Sequence, residues 1–264
     1  MNDMRKKINR KWIDLCGTFS LLLIFLMPVS VYAANFSVTP SSLDLSGGVK
    51  SGAFSVVNSG KEKLNCQLDV KEWSQDAAGK DVYTDARDVV FFPKIMTVDP
   101  NDQRSVRIGI KGPPSMNEKT YRLFVEEIPS QKKEEDQTTG KITAGLTIAF
   151  RYAVPIFVKP VKQQESAVFE KIDMSKSVAS AVVRNTGNIH IKLLSVMFRG
   201  KASNGKELFS QEVAGWYVLH GLSRIYEAIV PNDVCKDIAT MDVSAQAENL
   251  TINGTLNVQR NMCD

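Results

Sequence analysis

The longest regular pattern in the chain is an alternation of apolar and other residues over positions 141–160. The odd positions of this segment include threonine, glycine, arginine and proline. The even positions are all apolar: Ile142, Ala144, Leu146, Ile148, Phe150, Tyr152, Val154, Ile156 and Val158. A period of two predicts an extended strand with one apolar face. Because Pro155 has no N–H to donate to a ladder, we predict that this strand lies at a sheet edge.

This predicted strand is much longer than the usual strand of about 5–6 residues. A long, half-apolar edge promotes aggregation unless another chain is meant to pair with it. Such an edge can bind a second chain by strand addition, in which main-chain hydrogen bonds give affinity and alternate side chains give specificity. The pattern therefore predicts a binding function, with Leu146, Ile148 and Phe150 contacting the partner. An apolar edge also favours self-association of the free protein.

The rest of the chain after the N-terminus reads as short alternating strands separated by turn residues, which predicts an all-β protein. About seven strands before residue 130, spaced at roughly 8–15 residues, are typical of an immunoglobulin-like sandwich. Near Pro40 the apolar positions change parity, from Phe36 and Val38 to Leu43 and Leu45. We interpret this change as one strand that passes from one sheet of a sandwich to the other.

The same pattern divides the chain into segments. A charged and polar stretch at 130–140 predicts a loop before the long strand, and the polar residues after Pro160 predict a domain boundary. Residues 34–160 and 161–264 are therefore predicted to form two β-domains. In the second domain, Asn204-Gly205 between apolar runs predicts a two-residue hairpin.

Residues 1–33 have the pattern of a secretory signal peptide. Basic residues precede an apolar run from Phe19 to Val31, and small residues follow at Ala33 and Ala34. We therefore expect export, with no membrane insertion of the mature chain. The remaining residues include 28 basic and 27 acidic side chains. Because these are interleaved and form no basic stripe, the sequence gives no support for a nucleic-acid partner.

Export to an oxidising compartment makes the pairing of the cysteines informative. Cys66 lies on the apolar parity of a predicted strand and is interpreted as a small buried hydrophobe. That leaves Cys235 and Cys263 as the favoured disulfide, with other pairings still open.

The sequence offers no recognisable catalytic or metal-binding arrangement. His190 and His220 have no clustered carboxylate or cysteine neighbours in sequence, as a metal site or a catalytic triad would require in space. No glycine-rich phosphate loop follows a strand and opens a helix. We expect a protein that is not an enzyme and that has no cofactor and no metal.

Several short motifs, in their order and spacing, resemble the periplasmic pilus chaperones of the chaperone–usher pathway. In the first half they are Val38-Thr39-Pro40, Val57-Asn58-Ser59-Gly60, Trp73, Phe92-Pro93, Asp99-Pro100 with Gln103 and Val106-Arg107, Tyr121-Arg122-Leu123, Glu127-Ile128-Pro129 and Val154-Pro155-Ile156-Phe157-Val158. In the second half they are Val183-Arg184-Asn185-Thr186-Gly187-Asn188 and Trp216-Tyr217-Val218-Leu219 with Gly221.

This resemblance implies two immunoglobulin-like β-sandwich domains in an L-shaped, boomerang-like arrangement. It implies a periplasmic chaperone that lends its long edge strand to an incomplete pilus or fimbrial subunit and delivers the subunit to an outer-membrane usher. By position, the donor residues are Ile142, Ala144, Leu146, Ile148 and Phe150.

The chain departs from the best-known members at two positions. Those members hold the subunit's terminal carboxylate with an arginine and a lysine, at positions that match Ser42 and Pro155 here. The Tyr-Arg-Leu and Pro-Ile-Phe-Val motifs resemble the archaic branch of the family, in which the anchor is expected elsewhere. A carboxylate still needs a cation or several amide donors. The candidates are Arg122 first and then Arg107 and Arg151, each of which is otherwise interpreted as a solvated arginine on a strand face.

A second function remains compatible with the sequence. Two sandwiches without catalytic groups are also typical of a secreted adhesive or structural module. Subunit and usher genes beside the gene for this chain would favour the chaperone.

Overall fold

The computed structural model describes residues 35–46, 48–76, 78–129 and 149–264. The predicted signal peptide lies outside the described residues, as do Ile142, Ala144, Leu146 and Ile148. Where it is described, the chain is almost entirely β-structure, which confirms the all-β prediction.

Within the described ranges, ten strands precede residue 160 and eight follow it. The first ten are β1 (Phe36–Thr39), β2 (Leu43–Leu45), β3 (Ser51–Asn58), β4 (Leu64–Gln75), β5 (Asp81–Asp85), β6 (Val89–Phe92), β7 (Ile95–Val98), β8 (Gln103–Ile110), β9 (Lys119–Glu127) and β10 (Arg151–Val158). The others are β11 (Ala167–Ser175), β12 (Val178–Asn185), β13 (Ile191–Lys201), β14 (Glu207–Ala214), β15 (Tyr217–Val218), β16 (Ser223–Ile229), β17 (Thr240–Ala247) and β18 (Thr251–Asn257). Two short helices follow β16 and β18, namely α1 (Asn232–Cys235) and a 3-10 turn (Arg260–Met262).

The first ten strands form the two sheets of the first sandwich. One sheet has the order β1-β3-β8-β6, and the other has the order β2-β10-β9-β4-β5, with β7 also paired to β4. Alternate residues of β3 and β8, such as Phe54 and Val106, are fully buried and pack with Leu123 and Ile156 of the other sheet in one hydrophobic cluster. The period-two pattern in the sequence therefore marks the inner faces.

The predicted change of sheet near Pro40 is confirmed. β1 pairs antiparallel with β3 in one sheet, whereas β2 pairs parallel with β10 in the other. The peptide bond before Pro40 is cis. The change in apolar parity between Val38 and Leu43 thus records a strand that crosses from one sheet to the other.

The last eight strands form the second sandwich around its own core. Its sheets have the orders β11-β12-β16 and β14-β13-β17-β18, with β15 also paired to β13. A single buried cluster includes Val183, Phe198, Met241 and the cysteines of a disulfide between Cys235 and Cys263. This is the pairing favoured from the sequence. Residues 159–166, between β10 and β11, belong to no strand.

Each sandwich contains one buried asparagine that holds a tight corner. Asn58 donates from Nδ2 to the backbone oxygens of Glu62 at 2.8 Å and Val98 at 3.0 Å, and its Oδ1 accepts from the N–H of Gly60 at 2.9 Å. Asn185 repeats this arrangement with Ile189, Val218 and Gly187, at 2.8, 2.9 and 2.9 Å. The similar Asn-Ser-Gly and Asn-Thr-Gly sequences therefore form equivalent corners.

Two further expectations can be compared with the structure. Cys66 is a free thiol and fully buried, as its parity predicts, and desolvation by burial raises its pKa to about 12. The hairpin at Asn204-Gly205 forms between β13 and β14, but the two-residue loop is wrong. The N–H of Ala202 donates to the oxygen of Lys206, which leaves three residues in the turn.

Neither helix in the described part of the chain has the length or the apolar character needed to cross a membrane.

Candidate functional site

Strand β10, the described end of the long alternating segment, is only partly covered by neighbouring strands. It pairs with β9 over its whole length, from Arg151 opposite Glu126 to Val158 opposite Lys119. It pairs with β2 only from Ile156 onward. Residues 151–155 therefore have one strand neighbour among the described residues. Pro155 lies at the end of this open stretch. The predicted edge position therefore fits the described residues 151–155 but is wrong for 156–158, which pair with strands on both sides.

The inward face of β10 fills the core of the first sandwich. Val154 and Ile156 are buried, and Tyr152 packs edge-on against Phe36 with ring centres 4.9 Å apart. Phe150 precedes β10 on the same parity and is partly buried against the same cluster. Phe150, predicted to contact a partner, thus contacts this chain's own core.

Pairing between β9 and the long segment extends one residue beyond β10. The N–H of Glu127 donates to the oxygen of Phe150 at 2.9 Å, and β9 ends at Glu127. The next N–H, that of Ile128, donates to the backbone oxygen of Asn65 on the neighbouring β4 at 2.8 Å. The own-core packing of this face is therefore described as far as Phe150.

Arg151 lies on the opposite, outer face of the β9 and β10 pair. Its guanidinium carbon is 4.1 Å from the centre of the Phe124 ring, and its Nε is 3.9 Å from Oε2 of Glu126. About half of its side chain is exposed, with 55% accessible. Arg151 is thus a reachable cation close to the start of β10, held by stacking and a weak ion pair.

Arg122 lies on the same outer face, opposite Pro155, but it is buried. Its guanidinium carbon is 3.9 Å from the ring centre of Trp73 and 5.8 Å from that of Trp216. Only 8% of its side chain is exposed. The alternative of a solvated arginine is therefore wrong for this residue, because the two tryptophans enclose it.

The polar contacts of Arg122 are long for a buried cation. Nη1 donates to the backbone oxygen of Ala153 at 3.4 Å, and Nη2 lies 3.5 Å from Oδ2 of Asp81. Charge-assisted hydrogen bonds are usually about 2.7–2.9 Å. Among the described residues, Nε of Arg122 and the indole Nε1 of Trp73 are buried without a partner. Such unsatisfied donors are costly, so this arrangement favours an additional acceptor.

Below Arg122, the outer face meets the second sandwich. Trp73, Phe157 and Leu219 form a small buried cluster, and the His190 ring stacks on Phe157 with centres 3.6 Å apart. Oε1 of the buried Glu118 lies 2.9 Å from both the backbone nitrogen and the Nδ1 of His190. The base of the outer face is therefore a packed junction with a buried polar contact.

Arg107, the remaining candidate, is not brought together with the other two. It lies on β8 in the opposite sheet, between Ala53 and Phe92 of the adjoining strands, and is exposed. The structure thus places Arg122 and Arg151 on one surface and Arg107 on another.

The two histidines have structural contacts. His190 contacts Glu118, and Nδ1 of His220 lies 2.6 Å from the backbone oxygen of Gly187. In the described ranges, no cluster of three or more His, Cys, Asp or Glu side chains could hold a metal ion.

Comparison with known proteins identifies the family of the chain. Residues 35–164 match the family model described as pili and flagellar-assembly chaperone, PapD N-terminal domain. The chain belongs to the PapD-like family of pilus chaperones. The members of this family are not enzymes, as expected for the chain. No curated protein sequence matches this PapD-like chain.

Solved structures of pilus chaperones share the fold of this PapD-like chain over most of its length. A chain of the CsuC–CsuE chaperone–tip adhesion subunit complex of archaic Csu pili from Acinetobacter baumannii is 16% identical, with a TM-score of 0.59, and the match covers 83% of this chain and 98% of that one. The CupB2 chaperone of Pseudomonas aeruginosa is 13% identical, with a TM-score of 0.52 and coverage of 84% and 100%. The Salmonella enterica complex of the SafA pilin with the SafB chaperone gives 14% identity, a TM-score of 0.52 and coverage of 86% and 99%.

Sequence reasoning missed several residues of the outer face and the junction in this PapD-like chain. Asp81 and Glu118 come from different parts of the sequence, and neither belongs to a motif with a chemical signature. Trp216 was noticeable only as part of the family pattern. Glu118 contacts His190 across 72 positions, so only the folded chain brings the pair together. Trp73 was noticeable only as one element of the family pattern.

Proposed function

We propose that this pilus chaperone binds its subunit in the periplasm by donating residues 142–148 as a strand, and that it then delivers the subunit to an outer-membrane usher. One observation carries the proposal. The apolar face of β10 fills this chain's own core up to Phe150, the last residue for which pairing with β9 is described. The sequence continues the same parity upstream through Ile148, Leu146, Ala144 and Ile142.

The apolar parity of this strand extends upstream of Phe150 as far as Ile142. Val154 and Ile156 are buried, so their face of the strand is the one that packs in a sandwich interior. Burial of apolar surface stabilises by about 25 cal/mol per Å². We infer that the apolar residues at even positions from 142 to 148 gain that free energy in the interior of another chain. An incomplete sandwich that lacks one strand would offer such an interior.

The comparisons support a pilus subunit as the kind of partner that this chain binds. The Acinetobacter baumannii neighbour is a complex of a chaperone with a tip adhesion subunit, and the Salmonella enterica neighbour is a complex with a pilin. By analogy, we infer that the partners of this chain are pilus or fimbrial subunits and, later, the usher. The periplasmic location and the signal peptide at residues 1–33 are part of the same proposal.

We further infer that Arg122 anchors the subunit's terminal carboxylate. Its buried guanidinium has only long contacts, and the indole N–H of Trp73 beside it has no acceptor among the described residues. A carboxylate could accept from both groups. Arg151 is the second candidate, because it lies on the same face but is half-exposed. Arg107 is the weakest, because it lies in the other sheet.

The strand-donation step can be tested by a parity experiment in cells that co-express the neighbouring subunit gene. We expect the Leu146→Asp, Ile148→Asp double variant to lose subunit capture, because carboxylates on the apolar face would have to enter the subunit's core. The matched control places the same charges on the other parity, as Thr147→Asp with Ala149→Asp. Complex recovered by affinity purification should disappear for the first variant only. Normal capture by the Leu146, Ile148 variant would reject strand donation.

The anchor can be tested with Arg122→Gln, which keeps most of the side chain's length and removes its charge. We expect little recovered complex, while Arg107→Gln, in the other sheet, should behave as the unmodified chain. Thermal unfolding of both variants separates an effect on binding from an effect on folding. Full complex yield with Arg122→Gln would reject Arg122 and leave Arg151 to be tested.

A secreted adhesive module, the alternative from the sequence, predicts different behaviour. A chaperone should be recovered from the periplasm alone or with a subunit, and its gene should lie beside subunit and usher genes. Recovery of the chain as a permanent cell-surface component would favour the adhesive module.

A further inference from the structure

In the part of the chain that the structure describes, Asp81 forms an ion pair with Arg122, the buried cation of the outer face. Its Oδ2 lies 3.5 Å from Nη2 of Arg122 and accepts from the hydroxyl of Tyr83 at 3.3 Å, and its Oδ1 accepts from Nε2 of Gln75 at 3.3 Å. Asp81 is 21% exposed in its side chain and Arg122 is 8% exposed. The carboxylate of Asp81 therefore lies on the more open side of the guanidinium.

This ion pair is loosely made in comparison with others in the same domain. Lys71 and Asp85, on the same β4–β5 hairpin, are 2.8 Å apart although both are more exposed, and Lys119 and Asp88 are 2.7 Å apart. A buried pair gains most from short contacts, because only they offset the loss of hydration. The long contacts of Asp81 indicate an acceptor that neutralises Arg122 without holding it tightly.

The position of Asp81 also makes its displacement feasible. It is the first residue of β5, which in the described ranges is a sheet-edge strand paired only with β4. The preceding turn contacts the second sandwich through Gly79, whose oxygen accepts from Arg224. A small movement of this edge could change the distance from Asp81 to Arg122 without disturbing the pairing of β9 with β10.

We propose that Asp81 is a placeholder for the subunit's carboxylate: it neutralises Arg122 in the free chaperone and is replaced when a chain terminus arrives. This inference rests on the proposed anchoring role of Arg122. The exchange keeps the cation paired at each stage, and the incoming carboxylate gains the unpartnered N–H of Trp73 as well. Asp81 then sets selectivity, because only a ligand with its own carboxylate can take its place.

The test uses a synthetic peptide that carries the C-terminal strand of the co-expressed subunit, made once as the free acid and once as the amide. Binding of each peptide to the full chain is measured by calorimetry. For the unmodified chain we expect tighter binding of the acid. Asp81→Asn should tighten acid binding by about two- to fivefold, the range expected when one weak competing ion pair is removed, and should leave amide binding unchanged. Asp85→Asn, on the same strand but paired with Lys71, is the matched control and should change neither.

A merely structural role predicts the opposite result. If Asp81 only positions Arg122, Asp81→Asn should weaken acid binding and lower the melting temperature, and either weakened or unchanged acid binding would overturn the placeholder. Asp81→Glu should have the opposite effect to Asp81→Asn on the affinity for the acid. Its longer side chain should hold Arg122 more closely and so weaken acid binding.

Different results would reject the anchoring role of Arg122 and the placeholder role of Asp81. If the unmodified chain binds acid and amide equally, Arg122 is not an anchor and the placeholder falls with it. If Arg122→Gln abolishes the preference for the acid while Asp81→Asn has no effect, the anchor stands and only the placeholder is rejected.

Discussion

The two sandwiches of this chain share their main stabilising features but differ in how they end. Each uses a buried asparagine to close a corner, Asn58 in the first and Asn185 in the second, with nearly identical hydrogen bonds. Each encloses one apolar cluster between two sheets. Since these features occur twice, they explain the fold and do not by themselves explain the function.

The difference lies in how each sandwich ends. The second is fastened at its C-terminal end by the disulfide between Cys235 and Cys263, and the hydroxyl of Ser177 donates to the backbone oxygen of Cys263 at 2.9 Å. In the first, the apolar parity of β10 continues in the sequence beyond the last described pairing with β9. The comparison suggests that the second sandwich is a rigid platform and that the first carries the binding strand.

Among changes that test this difference between the sandwiches, removal of the disulfide should have the largest effect on stability. Its closed loop spans 28 residues, for which the chain-entropy model gives about 3.5 kcal/mol of stability. We expect the Cys235→Ser, Cys263→Ser variant to lose roughly that free energy of unfolding in urea titrations but to capture subunits at temperatures where it is folded. A variant that stays folded yet fails to capture would show that the second sandwich is more than a platform.

The asparagine corners allow a matched comparison. Asn58→Ala and Asn185→Ala each remove a buried hydrogen-bonded amide and leave carbonyl oxygens unsatisfied, which should cost about 2–3 kcal/mol. Hydrogen exchange should show the loss of protection mainly in the sandwich that carries the change. Of the two, Asn58→Ala should impair capture more. Equal protection losses in both sandwiches would mean that they unfold as one unit.

Weakening the buried contact between Glu118 and His190 at the junction should reduce stability less. Glu118→Gln keeps an oxygen for the N–H groups of His190 but removes the charge, so we expect a loss of about 1 kcal/mol. Chemical denaturation measures this loss, with Glu126→Gln on the exposed end of β9 as the control. An unchanged stability would indicate that packing of Phe157 and Tyr217 on His190 holds the junction alone.

The effect that should be smallest near neutral pH is a loss of stability that develops only at alkaline pH. Desolvation by burial raises the pKa of Cys66 from 9.0 to about 12 and that of Tyr226 from 10.0 to about 12. Their contribution is complete below about pH 9, and it decreases as the pH rises towards 12, because the unfolded chain ionises first. Cys66→Ala should flatten this decline, as measured by urea unfolding at a series of pH values. A decline equally steep in the variant would assign it to the tyrosines.

The sequence predicted those features that depend on local pattern. Parity around Pro40 predicted the change of sheet, and the alternation in 151–158 predicted the inward face of β10. The cysteine pairing followed from the parity of Cys66. The environment of Arg122 was not predictable in this way, because its burial depends on Trp73, Asp81 and Trp216, which only the folded chain brings together.

The same limit applies to the junction. No pattern in the sequence marks Glu118 as the partner of His190, because one precedes β9 and the other precedes β13. Strand periodicity gives the face on which a side chain lies, but not what a second sandwich places over that face. Parity placed Arg122 and Arg151 on one outer face, whereas Arg107 shares the parity but lies in a different sheet. The role of any of them as the anchor stays a prediction.

The central claim is that the apolar side chains at the even positions from 142 to 148 enter the subunit, and single-cysteine scanning tests it most directly. The native background is suitable, because Cys66 is buried with a raised pKa and Cys235 and Cys263 are joined. Each position from 142 to 149 is replaced in turn by cysteine, and the rate of maleimide labelling is measured with and without bound subunit. The account predicts that labelling of the even positions is suppressed by the subunit while the odd positions remain reactive. Uniform protection, or none, would contradict strand donation.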